Sequence, residues 1–200
     1  MHPDPAFRVE DRAWVRRFVA DHPFGTLFVQ TDAGPRVVHL PVTPAGDDAV
    51  RFHLSARNDV ADRLDGATAL FVASGPHHYV SPDWYRLGPG QVPTWNYVAA
   101  ELEGTVHPLG RAALAEQVDL LVAQSERALA PKPAWTRAGM KPGTFDAMLN
   151  DIRGFELRIT AWRATCKMNQ NKSDAARLAA ADGVAAAGDP ATAAWMRNPA

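Results

Sequence analysis

Two hundred residues, 46% hydrophobic and 22% charged with a formal net charge of −1, make a globular chain able to bury a substantial core, and they give no electrostatic basis for nucleic acid or an acidic membrane as partner. Cys166 is the one cysteine, which excludes an intramolecular disulfide framework and a cysteine-rich zinc site and fits a reducing compartment. No apolar run approaches the roughly 20 residues that cross a bilayer, and the polar start MHPDPAFRVEDR is unlike a signal peptide, so a cytoplasmic protein is expected.

DRAWVRRFVADHP reads as a first helix, with Trp14/Phe18 and Val15/Val19 at i,i+4, Asp11 as its cap and Pro23 as its stop. FGTLFVQTDAGPRVVHLPVTP reads as strand, turn and strand. AVRFHLS alternates, with Val50, Phe52 and Leu54 on one face and Arg51, His53 and Ser55 on the other. RNDVADRLDG is expected as a short helix ending at Gly66, and ATALFVAS as a buried strand. A loop follows, and then a long strand over TWNYVAAELEGTVHPL.

A helix is expected from about 110 to 129, with Leu114, Val118, Leu121 and Val122 as its inner stripe. A second, marked by Phe145, Met148, Leu149 and Ile152, follows a proline-broken loop, and GFELRITAWRATCKM is the last strand. From Ser173 onward 12 of 28 residues are alanine, which suggests a weakly anchored helix through Gly183 and then a loose tail. Antiparallel strands with peripheral helices imply a mainly β, α+β chain built on a small barrel, with a domain over residues 1–184 and a loosely ordered tail over 185–200.

Three clusters could carry chemistry. In FHLSARND, Ser55, Arg57, Asn58 and the N–H groups of a helix start make a phosphate cradle, with His53 beside them. A solvated strand face running into a capped helix explains the same residues, and on those residues alone it is the preferred reading. In GPHHYVSPDWY and VPTWNYV, prolines pre-set the backbone around His77, His78, Tyr79, Trp84, Tyr85, Trp95, Asn96 and Tyr97. These groups suit a planar ring with a hydrogen-bonding edge, or an aromatic cluster that caps the core. Trp95 and Tyr97 share a strand face opposite Val98, Ala100 and Leu102. In CKMNQNKSD, Lys167, Asn169, Gln170, Asn171 and Lys172 offer amide edges and point charges, or simply a soluble loop. Dinucleotide, P-loop, metalloprotease and nucleophile-elbow motifs are absent, and no recognition helix for DNA stands out.

Read in order, FRVEDRAWVRRFVADHPFGTL, VVHLPV, FHLSARND, GPHHYVSPDWY, VPTWNYV, GFELRIT and KMNQNK resemble the PaiB family over about residues 3 to 184. Members of that family are called FMN-binding negative transcriptional regulators. The resemblance implies an antiparallel, Greek-key split β-barrel of the pyridoxamine-phosphate-oxidase superfamily, a cytoplasmic homodimer with FMN at the interface. It implies that Ser55, Arg57 and Asn58, with His53 beside them, hold the phosphate. His77, His78, Tyr79, Trp84, Trp95 and Asn96 would stand near the flavin ring, and Lys167, Gln170, Asn171 and Lys172 would reach in from near the last strand. A flavin-dependent oxidoreductase or flavin carrier is the first functional expectation. The alternative is a haem b enzyme of the piperazate-synthase-like class with His77 or His78 as axial ligand. A regulator acting through DNA or a partner protein is the third. The chain departs from the family pattern at His78, at Asn169, and at Asn58-Asp59, where Asp59 sets a carboxylate beside the cradle.

Overall fold

A computed structural model describes residues 2–200. Its helices are α1 (Arg12–Asp21), α2 (Arg111–Arg127), α3 (Thr144–Met148), α4 (Asp174–Ala186) and α5 (Pro190–Arg197). Its strands are β1 (Phe24–Thr31), β2 (Gly34–Pro41), β3 (Thr43–Pro44), β4 (Ala49–Ser55), β5 (Thr68–Val80), β6 (Thr94–Pro108) and β7 (Ile152–Lys167). The seven strands lie in the order β2-β1-β5-β6-β7-β4-β3. This is the expected α+β class with an antiparallel sheet. Among the described residues no helix is long and apolar enough to cross a membrane.

The chain divides into two compact units, one of Met1–His22, Ala73–Glu101 and Trp162–Ala200, the other of Pro23–Val72 and Leu102–Ala161. In the second unit β1 and β2 form a hairpin in register from Phe24↔Pro41 to Thr31↔Gly34. Alternation decides what this unit buries. Val50, Phe52 and Leu54 turn inward from β4, and Phe52 pairs across the strands with Phe155 of β7, their rings stacked at 5.7 Å. Full burial of an aromatic or leucine side chain here contributes about 1.5–3 kcal/mol. On α2 the buried positions are Leu114 and Gln117, whereas Val118, Leu121 and Val122 of the expected stripe are only half-buried. The expected helix around Phe145 is a single turn of α3, and Ile152 already begins β7.

The first unit holds the other core. Asp11 caps α1 by accepting from the Ala13 N–H at 2.8 Å, and Trp14 stacks on Phe18 at 5.2 Å. Residues 185–200, where a loose tail is expected, hold α5 instead. Asp189 caps this helix by accepting from the Thr192 N–H, Pro190 opens it, and Ala193 and Met196 are buried. Trp195 stands edge-on to Trp14 and Phe18 at 5.9 and 6.0 Å, and Arg177 of α4 donates to the carbonyls of Met196 and Arg197. The alanines are a small-residue packing face, with Ala176, Ala180, Ala181 and Val184 all buried.

Candidate functional site

The proposed cradle lies at the end of β4. No helix follows Ser55, contrary to the sequence expectation. The chain turns instead, and only Ala61–Arg63 forms one 3₁₀ turn. The backbone N–H groups there are already engaged: Ala56 donates to the Asp151 carbonyl at 2.8 Å, Asn58 to the Ser55 carbonyl at 3.0 Å, and Arg57 to Ser55 Oγ at 3.3 Å. Asn58 Oδ1 accepts from the Val60 N–H at 3.0 Å, an Asx turn that takes the place of a helix cap. Ser55 and Arg57 remain exposed, and among the described residues no carboxylate pairs with Arg57.

The polar face of β4 is not the solvated face expected of it, because α2 covers part of it. Arg51 bridges Glu156 of β7 at 3.0 Å and Glu116 of α2 at 3.2 Å. Burial works against ionisation of Glu156, yet hydrogen bonds from Arg51 and Arg158 outweigh it and hold the carboxyl below its ordinary range. His53 Nδ1 donates to Oε1 of the buried Gln117 at 2.8 Å, so this imidazole ties strand to helix. Gln117 has no signal of its own in the sequence beyond falling three residues after Leu114, on the inner stripe.

In the other unit, His77, His78 and Tyr79 belong to β5, which runs on to Val80 where a loop was expected. Strand alternation therefore splits the two histidines. His77 is exposed with its ring 6.1 Å from that of Trp95, and Tyr79 stands edge-on to Trp95 at 6.3 Å. Tyr79 is 42% and Trp95 56% exposed, which leaves an aromatic face open to solvent. His78 turns the other way, half-buried, with its ring 6.3 Å from Trp84. Trp84 itself lies flat against Gly183 of α4, where a Cβ would come within 2.5 Å of its ring.

Asn96 lies on the inward face of β6 with Val98 and Ala100, fully buried, and among the described residues neither its Oδ1 nor its Nδ2 has a partner. Gln170 is used up locally: its Oε1 accepts from the Met168 N–H at 2.7 Å and its Nε2 donates to the Cys166 carbonyl at 2.6 Å. Asn171 is exposed. Lys167 donates to Thr94 Oγ1 and Lys172 to Gln91 Oε1, each at 2.7 Å. Burial pushes the Lys167 ammonium below its ordinary pKa. Tyr85 is buried, and burial raises its hydroxyl's pKa. Tyr85 is thus part of the core rather than of the open aromatic face. The structure brings Ser55 with Arg57, and His77 with Tyr79 and Trp95, into exposed sets, one in each unit.

Residues 1–161 match the family model described as "Putative FMN-binding domain". The chain is 26% identical over 172 residues to the Bacillus subtilis "Protease synthase and sporulation protein PAI 2", covering 84% of this chain and 81% of that one. Among solved structures it resembles the FAD and heme binding protein from Mycobacterium smegmatis, with a TM-score of 0.60, 20% identity and coverage of 90% of this chain and 80% of that one. It also resembles the flavocytochrome Anf3 from Azotobacter vinelandii, with a TM-score of 0.60, 16% identity and coverage of 84% and 72%. These likenesses are of fold, and the fold is the flavin-binding split barrel.

Proposed function

The chain belongs to the family of FMN-binding domains, and on that premise we propose that it is a flavin-carrying redox protein whose Ser55 and Arg57 hold the FMN phosphate. The observation that carries this reading is the exposed Arg57 guanidinium, without a carboxylate partner among the described residues, next to the Ser55 hydroxyl, in a chain matched by the family model across residues 1–161. Ser55 Oγ accepts from the Arg57 N–H, so its own O–H remains to donate. A guanidinium and a hydroxyl on one turn fit the geometry of a phosphate. Asp59, also exposed, opposes them. The His77, Tyr79 and Trp95 face suits a planar, amphipathic ring. Bound FMN supplies hydride or electron transfer; the residues of this chain bind its phosphate and present an aromatic surface. The exposed Phe24, and the exposed cross-strand pair Phe28–Val37, suit a second copy of the chain, in keeping with a homodimer, and sedimentation of the protein reads that state directly.

The test is a titration of the purified chain with FMN, followed by the flavin absorbance that stays with protein after desalting. Arg57→Ala removes a charge-assisted hydrogen bond and is expected to weaken FMN binding by about 10- to 100-fold, the equivalent of about 1.5–3 kcal/mol. Retained affinity in Arg57→Ala would sink the phosphate assignment. The same spectra with haemin address the second reading, favoured by the exposed His77 imidazole beside Trp95. A Soret band that His77→Ala abolishes would replace FMN by haem.

A further inference from the structure

The chain around the end of β7 carries positive charge and amide groups that its own contacts leave unanswered. Lys167 and Lys172 are half-buried, and among the described residues neither has a carboxylate partner. Each is held by a neutral oxygen and lies near an aromatic ring: Lys167 on Thr94 Oγ1 with its ammonium 5.9 Å from the Phe7 ring centre, Lys172 on Gln91 Oε1 and 4.8 Å from that of Tyr85. Lys132, by contrast, pairs with Glu126. A half-buried ammonium without a counter-ion is costly, and two in one segment call for an anion.

The amides point to the same place. Thr94 and Asn96 alternate onto one face of β6, so the Lys167 ammonium stands on the face that carries the Asn96 carboxamide. Asn96 is 0% exposed with both polar atoms unpaired. Asn169 is also buried; its backbone takes the left-handed conformation at φ 64°, and among the described residues its Nδ2 has no partner. Buried amides left without partners are rare in folded proteins. Gln91, the acceptor of Lys172, lines an open cavity of about 290 Å³ along residues 82–91. Asp83 and Arg86 on its wall oppose each other in charge.

We propose that Lys167 and Lys172, with the side-chain amides of Asn96 and Asn169, form a binding site for a small oxyanion, the carboxylate or phosphate group of a small-molecule ligand. This assignment uses neither Ser55 nor Arg57, and it gives Asn96, Lys167 and Lys172, which the resemblance sets near the flavin ring, an anion as their partner instead. Two point charges supply attraction, and the two Nδ2 groups supply the directional donors that lysine lacks.

Sodium succinate and sodium phosphate are the probes, titrated at constant ionic strength into the full chain and into Lys167→Met, Lys172→Met, Lys132→Met and Arg57→Met. One or both anions are expected to raise the melting temperature, with the apparent dissociation constant at least tenfold weaker in Lys167→Met and Lys172→Met and unchanged in Lys132→Met, while Arg57→Met removes only what the Ser55–Arg57 cradle adds to the phosphate response. Succinate acting alone identifies a carboxylate ligand, and phosphate acting alone a phosphate. Amide NMR on the unmodified chain covers the case of a variant that does not fold: shifts must centre on residues 91–96 and 167–172. Absence of any response to both anions, a response undiminished in the lysine variants, or one undiminished in them and lost in Arg57→Met would overturn the proposal. Only the last would leave an anion site at the cradle, so the two readings fail separately.

Discussion

Asn96→Leu is the substitution whose effect follows most directly from burial. The side chain is 0% exposed, faces the core between strands, and leaves one donor group and one acceptor without partners. Each unsatisfied buried polar group costs about 1–3 kcal/mol relative to water. Leucine keeps the branching of asparagine and removes both groups, while its larger methyls overpack the site by up to about 1–3 kcal/mol. The balance favours the variant by about 2 kcal/mol, a rise of roughly 4–8 °C in melting temperature for a chain of this size. Urea unfolding of ligand-free protein measures it, with an unchanged slope showing that the unfolded state is the same. A midpoint that falls instead would mean that the amide is satisfied in solution, by a buried water for instance, and would remove Asn96 from the anion site. A stabilised variant that has also lost its response to succinate and phosphate would show the same group serving a ligand at the expense of the empty fold.

Other outcomes follow from the same geometry. Gly183→Ala should gain about 1 kcal/mol of helix propensity in α4 but lose more, because the new Cβ would lie 2.5 Å from the Trp84 ring; a net loss of roughly 1–2 kcal/mol and a change in tryptophan fluorescence are expected, and a higher melting temperature would show that Trp84 does not dock there. Truncation after Gly188 removes the buried Met196 and the Trp195 edge contacts, and should cost at least about 3 kcal/mol in urea, whereas a loose tail would cost nothing measurable. Glu156 has its folded pKa depressed, since the pull of Arg51 and Arg158 outweighs burial, so it contributes stability above its unfolded pKa that is lost as pH falls through the folded value. Glu156→Gln should therefore flatten the acid side of the stability curve below the ordinary glutamate pKa of about 4.3, and an unaltered slope would refute the pairing.

Regular alternation made the β framework legible. Val50-Phe52-Leu54 and Phe155-Leu157-Ile159 read as inward faces because period-two burial is written in adjacent residues. β5 was misread past Ser74 because Gly75 and Pro76 carry the local marks of a break. The reason for Gly75 is not local: a Cβ there would come within 2.8 Å of the Phe18 ring, on a helix more than fifty positions earlier. The tail failed for the same reason. Alanine-rich sequence reads as weakly packing until the partner face is known, and Trp14 and Phe18, which receive Trp195, lie at the far end of the chain.

The candidate residues were legible as a set of chemical types, not as an arrangement. Identity alone could not tell that His53 would be committed to Gln117, or that Gln170 would bond to its own strand end, because both depend on which neighbour the fold presents. Strand parity could have separated His77 from His78, since adjacent strand residues face opposite sides, but only if the strand had been carried past Gly75. The lysines are the instructive case. A run such as KMNQNK reads equally well as a soluble loop, and solubility predicts exposed ammonium groups and exposed amides. Instead the structure half-buries both lysines against rings and neutral oxygens and buries Asn169 with an unpartnered Nδ2. That combination is unfavourable for a soluble loop and is relieved by an anion.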